Sequence, residues 1–401
     1  MDSALPTRSP GGRFQLLSLV TLSGALAALG LLGIERGDEV SQAGQFHGKQ
    51  MVWLALAGGA MSVACRVPLR WLRSWAGTLF VVSLVLLTLV YLFPARWGSR
   101  RWIPLGLLYF QPSELAKISF ILALARHLIV RENYRRPLGL VVPFVVTIVP
   151  LVLILREPDL GTSLLFLPVL YAMLFAAGAR VRHLALVAVL GVAVLPLFWQ
   201  AMSAEQRSRI TAVFQQRDGT APAVGKADGF HLHQSKQVLS LGGAWGSQFQ
   251  GTLVDDPAAY YLPACRTDFV LCMVGERFGL AGTLTVLVLY SLLFAQGLAI
   301  AGATRDPFGR LVAVGIVALL AAQTVINAGM TVGLLPVTGI TLPLMSYGGS
   351  SLLFTGAAIG LLVNVSRLPD EVLRREPFRF GQSARQDRRL SPVTSQAGVR
   401  F

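Results

Sequence analysis

The fold is decided by residues 140–163, LVVPFVVTIVPLVLILREPDLGTS, in which a long apolar run passes directly into a cluster of charges. The run lacks the alternating polarity of a membrane β-barrel strand. Its length approaches the roughly 20 residues that a helix needs to cross a hydrocarbon core of about 30 Å. An ionised side chain at the bilayer centre costs roughly 2.5–3.5 kcal/mol, so chance rarely keeps charges nearby. The stretch therefore predicts a membrane helix that ends in a functional cluster.

The whole chain has the composition of an integral membrane protein. Of its 401 residues, 54% are hydrophobic and only 14% are charged, unlike a soluble domain. Apolar runs predict an all-α polytopic membrane protein with about ten transmembrane helices and one large extracytoplasmic loop, about 201–279. The predicted spans are 14–34, 50–65, 74–93, 112–130, 139–155, 161–178, 183–200, 280–302, 310–335 and 348–365.

The distribution of basic residues predicts the orientation in the membrane. With residues 1–13 in the cytoplasm, most of the 35 lysines and arginines lie inside, as the positive-inside rule favours. Residues 366–401 are basic and rich in Pro, Ser and Gln, and we expect a disordered cytoplasmic tail close to membrane lipid. The net charge of +15 thus reflects topology, and no nucleic-acid partner is expected.

The first polar motif is GSRRWIPLGLLYFQPSELAK, residues 98–117, which leads into a predicted helix. Glu114 and Lys117 are three residues apart and share one face of that helix. They form either an ordinary intrahelical ion pair or the wall of a pocket, and the sequence leaves both open. Arg101 and Trp102 are either interfacial anchors or part of a functional site, and the sequence leaves both open.

The second motif is REPDLGTS, residues 156–163, whose proline and glycine predict a tight turn between two spans. The motif also carries Arg156, Glu157 and Asp159. A turn requires the proline and the glycine but not three charges, so the functional interpretation is favoured over the purely structural one.

The third motif is YYLPACRTDFVLCMVGERFGLAG, residues 260–282, which closes the long loop. Asp268 stands there at the edge of an apolar segment. Burial would raise its pKa, as a general base requires, whereas the neighbouring Arg266 would lower it. Which of these two effects prevails is open. The alternative, that Asp268 caps a helix beginning near Phe269, is favoured when the residue is taken without its context.

The fourth motif is NAGMTVGLLPVTGITLPLMSYGGSS, residues 327–351, which places Gly, Pro, Ser and Tyr at membrane depth. Irregular backbone there must be packed within protein or line a wet cavity. Ser346 and Ser350 are therefore candidate contacts to a substrate. The small residues at 348–351 have the alternative role of allowing close helix packing.

Together, in this order, the four motifs resemble the SEDS family (shape, elongation, division and sporulation), over most of the chain. The resemblance implies a ten-helix enzyme of the bacterial inner membrane, with both termini cytoplasmic, that polymerises peptidoglycan glycan strands from lipid II. It also implies a class B penicillin-binding transpeptidase as partner. The segments PVTG (336–339) and QPSELAKI resemble the RodA elongation branch slightly more than the FtsW division branch.

The resemblance also implies roles for individual residues. Asp268 would be the catalytic base that takes the proton of a lipid II 4-hydroxyl. Other family positions are matched by Arg101, Glu114, Lys117 and Asp159. Two departures are Ala264 and Arg266, where the family commonly has the glutamate of LPE and the histidine of HTDF.

Expulsion of a polyprenyl pyrophosphate calls for cations, and a divalent metal is a further option. The candidate cations are Arg101, Lys117 and Arg156. Glu157 and Asp159 are candidate ligands for Mg²⁺ or Mn²⁺. The full expected set of substrate-binding residues is Arg101, Trp102, Glu114, Lys117, Arg156, Asp159, Arg266, Ser346 and Ser350.

Two other classes of function remain open. Ten spans with intramembrane charges also suit a flippase that carries lipid II outward. Against it, the two halves of the chain show no repeat, and the polar motifs crowd one face. A non-catalytic cell-wall scaffold is the third interpretation, favoured by the departures at Ala264 and Arg266.

Overall fold

The computed structural model describes residues 10–41, 44, 46–94, 99–104, 106, 109–131, 137–202, 204–215, 227–252, 254 and 257–367. One compact unit ends at Arg367. Nearly all of the expected tail, 366–401, and most of the expected N-terminal segment, 1–13, lie outside the described residues.

Helices account for most of the described chain. They are α1 Pro10–Ser41, α2 Phe46–Ala64, α3 Leu69–Leu89, α4 Pro112–Val130, α5 Val141–Arg156, α6 Leu160–Ala177, α7 Val181–Ala201, α8 Ala204–Gln215, α9 Ala227–Leu241, α10 Ser247–Gln250, α11 Val270–Ala303, α12 Pro307–Thr331 and α13 Gly349–Ser366. Strands β1 (Ile103–Pro104) and β2 (Tyr109–Phe110) form a short antiparallel hairpin, and 3-10 turns occupy Val90–Leu92, Pro137–Leu140 and Pro257–Tyr260.

The predicted membrane architecture is confirmed. Each of the ten predicted spans overlaps one of the long helices α1–α7 and α11–α13, and α8, α9 and α10 lie in the predicted large loop. Among the described residues, 7 helices are long and apolar enough by themselves to cross a membrane. They are α1, α3, α5, α6, α11, α12 and α13.

Two helix boundaries differ from the predictions. Helix α1 continues beyond the predicted end at 34 as far as Ser41, through the charged sequence ERGDE. Helix α11 begins at Val270, ten residues before the predicted 280, and bends at Gly279, whose φ of 67° and ψ of −161° are non-helical. Glycine adopts a positive φ without the penalty of a Cβ, so the helix can change direction there. The large loop therefore ends before α11, at about residue 269.

Pairs of helices distant in sequence bring the motifs together. Helix α1 packs on α11, α2 on α13, α3 on α4, and α6 on α12. The segment between α12 and α13, residues 332–348, is largely non-helical and runs partly buried through the protein. Such backbone is tolerated at membrane depth because neighbouring elements satisfy its polar groups.

Candidate active site

Asp268 lies in the turn that enters α11. Its backbone N–H donates to the carbonyl of Ala264 at 3.0 Å, and Ala264 has a left-handed φ of 54°. The Asn327 side chain of α12 donates from Nδ2 to the carbonyls of Asp268 and Ile340, each at 2.7 Å. Asn327 therefore ties the Asp268 turn to the broken segment between α12 and α13.

The Asp268 side chain is not a helix cap. The residue that caps α11 is Phe269, and no side-chain hydrogen bond caps that helix end. The Asp268 carboxyl is half-buried, and burial raises its pKa to about 6 against the opposing effects of the Thr267 hydrogen bond and of Arg209 and Arg101. Asp159 adds to the rise. A carboxyl group with this pKa is ionised at neutral pH and is more basic than an ordinary aspartate.

Arg101 joins the first motif to the second. Its Nε donates to the carbonyl of Glu157 at 3.1 Å, and Nη2 donates to the carbonyl of Pro158. Its Nη1 lies 3.7 Å from Oδ2 of Asp159. Asp159 in turn caps α6, since its two oxygens accept from the backbone N–H and the hydroxyl of Thr162 at 3.0 and 2.9 Å. The positions of Arg101 and Asp159 are therefore fixed by secondary structure.

Glu157 is the least compensated acid of this region. Its side chain is fully buried, and neither carboxylate oxygen has a hydrogen-bond partner among the described residues. Burial raises the pKa of Glu157 to about 8, and the neighbouring Asp159 adds to the rise while Arg101 opposes it. Glu157 is therefore largely protonated at neutral pH.

Close backbone packing brings the second, third and fourth motifs together. A Cβ on Gly161, in the first turn of α6, would lie 2.7 Å from the carbonyl oxygen of Thr338. A Cβ on Gly339, whose φ is 73°, would lie 3.6 Å from Oδ2 of Asp268. Gly161 and Gly339 are thus the small residues that let α6 and the broken segment approach Asp268.

Glu114 and Lys117 form a buried ion pair on α4, with Nζ and Oε1 separated by 2.8 Å. They also line a small cavity between α4, α12 and α13, with Gln323 and Thr355 opposite. The cavity has room for about one water molecule, which is too little for a sugar. The structure thus combines the two interpretations of this pair, since the ion pair is at the same time the wall of a cavity of water size.

Arg266 is engaged by α1, and its expected role in binding substrate stays a prediction. Its Nε lies 2.5 Å from Oδ1 of Asp38 on α1, and Nη2 donates to the Ser41 hydroxyl. The guanidinium also lies 4.6 Å from the ring centroid of Phe46. The cation that replaces the family's histidine is therefore neutralised by α1, and it links that helix to the turn bearing Asp268.

Four other predicted residues lie in different surroundings. Ser346 is buried and accepts the backbone N–H of Leu342 at 2.8 Å, so it stabilises a turn. Ser350 donates to the carbonyl of Tyr109 at 2.8 Å and joins α13 to the hairpin that follows Arg101. Trp102 is half-buried immediately before β1, and Arg156 is exposed on the last turn of α5.

Sequence reasoning missed the ion pairs between α1 and α11. Arg36 donates to both oxygens of Glu276, from Nε at 2.8 Å and from Nη2 at 2.9 Å. Arg277 pairs with Glu35 at 2.8 Å. The charges of ERGDE and GERF were visible signals, but more than two hundred residues separate the partners. Asn327 and Arg209 were also missed as neighbours of Asp268.

The described residues do not form an all-protein metal site, since no three His, Cys, Asp or Glu side chains among them are grouped to hold an ion. Both oxygens of Asp159 already accept hydrogen bonds from Thr162. The unpartnered oxygens of Glu157 are the donors that remain in this region. A Mg²⁺ or Mn²⁺ ion here would require the ionised form of Glu157, with substrate phosphates and water as its other ligands, as is usual for Mg²⁺.

Comparison with known families assigns the chain. A family model named for FtsW, RodA and SpoVE, and described as a cell cycle protein, matches residues 13–370. The chain belongs to this SEDS family. One similar SEDS relative, named a probable peptidoglycan glycosyltransferase FtsW from Geobacter metallireducens, is 34% identical over 370 residues, which are 88% of this chain and 95% of the relative.

Solved structures of similar proteins share the fold. The RodA rod shape determining protein of Thermus thermophilus aligns with a TM-score of 0.65 and 30% identity, over 91% of this chain and 99% of RodA. A chain of a peptidoglycan synthase complex, described as coordinating polymerization and crosslinking, aligns with a TM-score of 0.74 and 31% identity, over 90% of this chain and 98% of its own. Relatives thus include both FtsW and RodA proteins, and the preference for the RodA branch stays a prediction.

Proposed function

We propose that this SEDS enzyme is a peptidoglycan glycosyltransferase that polymerises lipid II, with Asp268 as its general base. The observation that carries the proposal is the Asp268 carboxyl, which is half-buried, has a pKa of about 6 and lies where three sequence motifs meet. The names of relatives as peptidoglycan glycosyltransferases support the same reaction.

In the proposed step, Asp268 accepts the proton of the 4-hydroxyl of one lipid II sugar. That oxygen bonds to the anomeric carbon of the growing strand, and the bond from this carbon to the polyprenyl pyrophosphate breaks. Proton transfer to a positioned carboxylate contributes typically 10²–10⁴-fold to a rate. The leaving diphosphate carries away the electron pair of the broken bond.

Cations near Asp268 would stabilise the charge that develops on the leaving group. Arg101 is held by two backbone carbonyls and Asp159, so its guanidinium is preorganised. Arg156 is exposed and has no side-chain hydrogen bond within the described ranges. Lys117 is buried against Glu114, so we assign it to the support of the site and assign the leaving group to the two arginines.

A divalent ion is part of this proposal. Mg²⁺ or Mn²⁺, held by the ionised form of Glu157 together with Asp159, would neutralise charge on the diphosphate as it leaves. The protein's own residues would position the sugar and the carboxylate around it. Removal of divalent ions with EDTA is then expected to suppress polymerisation, and added Mg²⁺ or Mn²⁺ to restore it.

A class B penicillin-binding transpeptidase is the proposed partner, supported by the structural similarity to a synthase complex that couples polymerization to crosslinking. The proposed location is the bacterial inner membrane with both termini in the cytoplasm. The excess of basic residues in the loops on that side supports the orientation. In this orientation the lipid tails of both substrates stay in the bilayer while their sugars meet at Asp268.

The test is polymerisation of purified lipid II by the reconstituted protein with its transpeptidase, resolved by gel electrophoresis. We expect glycan strands from the wild type and about 10²–10⁴-fold slower polymerisation by Asp268→Asn. A parallel assay follows movement of labelled lipid II across liposomes. Movement without polymer would favour the flippase, and the absence of both activities would favour the scaffold.

A further inference from the structure

An uncharged segment interrupts the large loop. Between Lys236 and Asp255 the chain reads QVLSLGGAWGSQFQGTLV, without one ionisable side chain. Its centre, residues 241–250, runs from the last residue of α9 to the end of α10, and we call these residues the interface loop. A segment without charges that carries two aromatic residues is unusual for a loop that faces only water.

The interface loop presents its two aromatic side chains to the outside. Trp245 is 61% exposed and Phe249 is 74% exposed. The Gln248 side chain, which is also exposed, accepts from Nε of Arg277 at 3.1 Å. The loop is therefore attached to the protein through a side-chain amide, while its two aromatic rings lie outside the core.

Backbone hydrogen bonds attach the interface loop to the bend of α11. The N–H of Leu280 donates to the carbonyl of Gly243 at 2.9 Å, and the N–H of Ala281 donates to that of Ala244 at 3.3 Å. Gly246 has a φ of 85°, and a Cβ there would collide with the backbone of Arg277. The loop thus occupies a fixed height on the molecule, level with the bend at Gly279.

The length of α11 beyond the bend fits a bilayer edge at that height. Beyond the bend, residues 280–303 are helical over about 36 Å at 1.5 Å per residue, enough to cross a hydrocarbon core of about 30 Å. Leu280 and Leu284, at the beginning of this stretch, are 58% and 51% exposed, as lipid-facing leucines are. The exposed surface of the interface loop continues directly from this lipid-facing surface through the hydrogen bond to Leu280.

We propose that the interface loop is a lipid-binding surface, with Trp245 and Phe249 inserted among the headgroups and upper acyl chains on the Asp268 side of the membrane. Aromatic side chains favour this depth, because the ring is apolar while the indole N–H can still reach a polar partner. With no charge in the segment, attachment should depend on apolar contact alone. It should therefore be equal in zwitterionic and anionic bilayers and insensitive to salt.

The test places a fluorophore on the loop. Phe249→Cys is combined with Cys65→Ser, since Cys265 and Cys272 are buried, and is labelled with NBD in phosphatidylcholine nanodiscs. Ser208→Cys, an exposed position on α8 in the same large loop, is the matched control. We expect blue-shifted NBD emission and quenching by doxyl-labelled lipid at position 249 only, unchanged in anionic lipid and at high salt.

Two outcomes would overturn the proposal. In the first, NBD at position 249 is reached by aqueous iodide as readily as at position 208. In the second, position 249 becomes shielded only when a class B transpeptidase is added, which would make the loop a protein-docking surface.

A second measurement avoids any disturbance by the label. The difference in emission between the wild type and Trp245→Phe isolates the fluorescence of Trp245. We expect this difference spectrum to be blue-shifted and quenched by brominated lipid. A red-shifted spectrum that brominated lipid leaves unchanged would contradict insertion, whatever the labelled protein shows.

Discussion

Two charged regions, one between α1 and α11 and one around Asp268, are built in opposite ways. Between α1 and α11 the acids face bases: Arg36 meets both oxygens of Glu276, and Arg277 meets Glu35. Around Asp268, Glu157 has no hydrogen-bond partner in the described part of the chain, and Arg101 stands 3.7 Å from Asp159.

The difference distinguishes charged residues that stabilise the fold from charged residues that remain available for proton transfer or ion binding. A buried ion pair with good geometry balances the desolvation of its members and fixes the position of two helices. A buried acid without a partner has a perturbed pKa, which is a property of groups that transfer protons or bind ions. The first region therefore holds α11 in place, while the second retains the capacity for reaction.

The largest effect is expected from Asp268→Asn. The amide keeps the size of the side chain but cannot accept a proton, so polymerisation should fall by about 10²–10⁴-fold. Asp306→Asn is the matched control, because Asp306 caps α12 through a hydrogen bond that an asparagine side chain can also accept. Equal activity of Asp268→Asn and the wild type would remove Asp268 from the chemistry.

The next effect tests the structural region through Arg36→Met. This change leaves the carboxylate of Glu276 buried without its partner, at a cost of about 3–5 kcal/mol in the free energy of unfolding. Glu35→Gln should cost under about 1 kcal/mol for its pair with Arg277, because Glu35 is 42% exposed. Thermal unfolding in one detergent would measure both, and similar losses in the two variants would contradict the distinction.

Glu157→Gln tests the chemical region through the pH dependence of stability. The folded pKa of Glu157, about 8, lies above its ordinary 4.5, so the protonated acid favours folding. That contribution is complete below pH 4.5 and is lost as the pH rises through 8, at up to about 1.4 kcal/mol per unit. The difference in melting temperature between the wild type and Glu157→Gln should grow across this window, and a constant difference would argue against a buried protonated acid.

Asp38 and Arg266 connect the two regions, and a double-mutant cycle measures that connection. Asp38→Asn and Arg266→Met each break the ion pair. The double variant should therefore lose less stability than the sum of the two single variants, by a coupling energy of about 0.5–3 kcal/mol. Turnover should show the same coupling if the pair positions the Asp268 turn. Additive effects on both quantities would show that the two residues act independently.

The smallest effect concerns the acid limb of the pH profile. Activity should fall as the pH drops through about 6, the pKa of Asp268, because the base becomes protonated. Arg209→Gln removes a cation that lowers this pKa, so the limb should move to higher pH. Arg207→Gln, two residues earlier on α8, is the control and should leave the limb in place.

Much of the architecture follows from local signals in the sequence. The ten spans could be predicted because each apolar run has the length that the bilayer requires, whatever its neighbours are. Asp268 could be proposed as the catalytic base because it belongs to a long motif. The alternative role as a helix cap could be rejected only from the structure, in which Phe269 occupies that position.

The remaining features depend on contacts between distant residues. The end of α1 at Ser41 was missed because charged residues end an apolar run, although here they pair with α11. The partner of Arg266 could not be predicted, since Asp38 is more than two hundred residues away. The bend at Gly279 likewise depends on packing against Ala244 and Gly246 of the large loop.

The side-chain amide of Asn327 has a mechanical consequence. Its Nδ2 donates hydrogen bonds both to the carbonyl of Asp268, in the turn before α11, and to the carbonyl of Ile340, in the broken segment after α12. These two pieces of backbone therefore share one hydrogen-bond donor and cannot move apart without losing a hydrogen bond. A displacement of the backbone at Ile340 should therefore be transmitted to the backbone at Asp268, whose carboxyl group we propose as the general base.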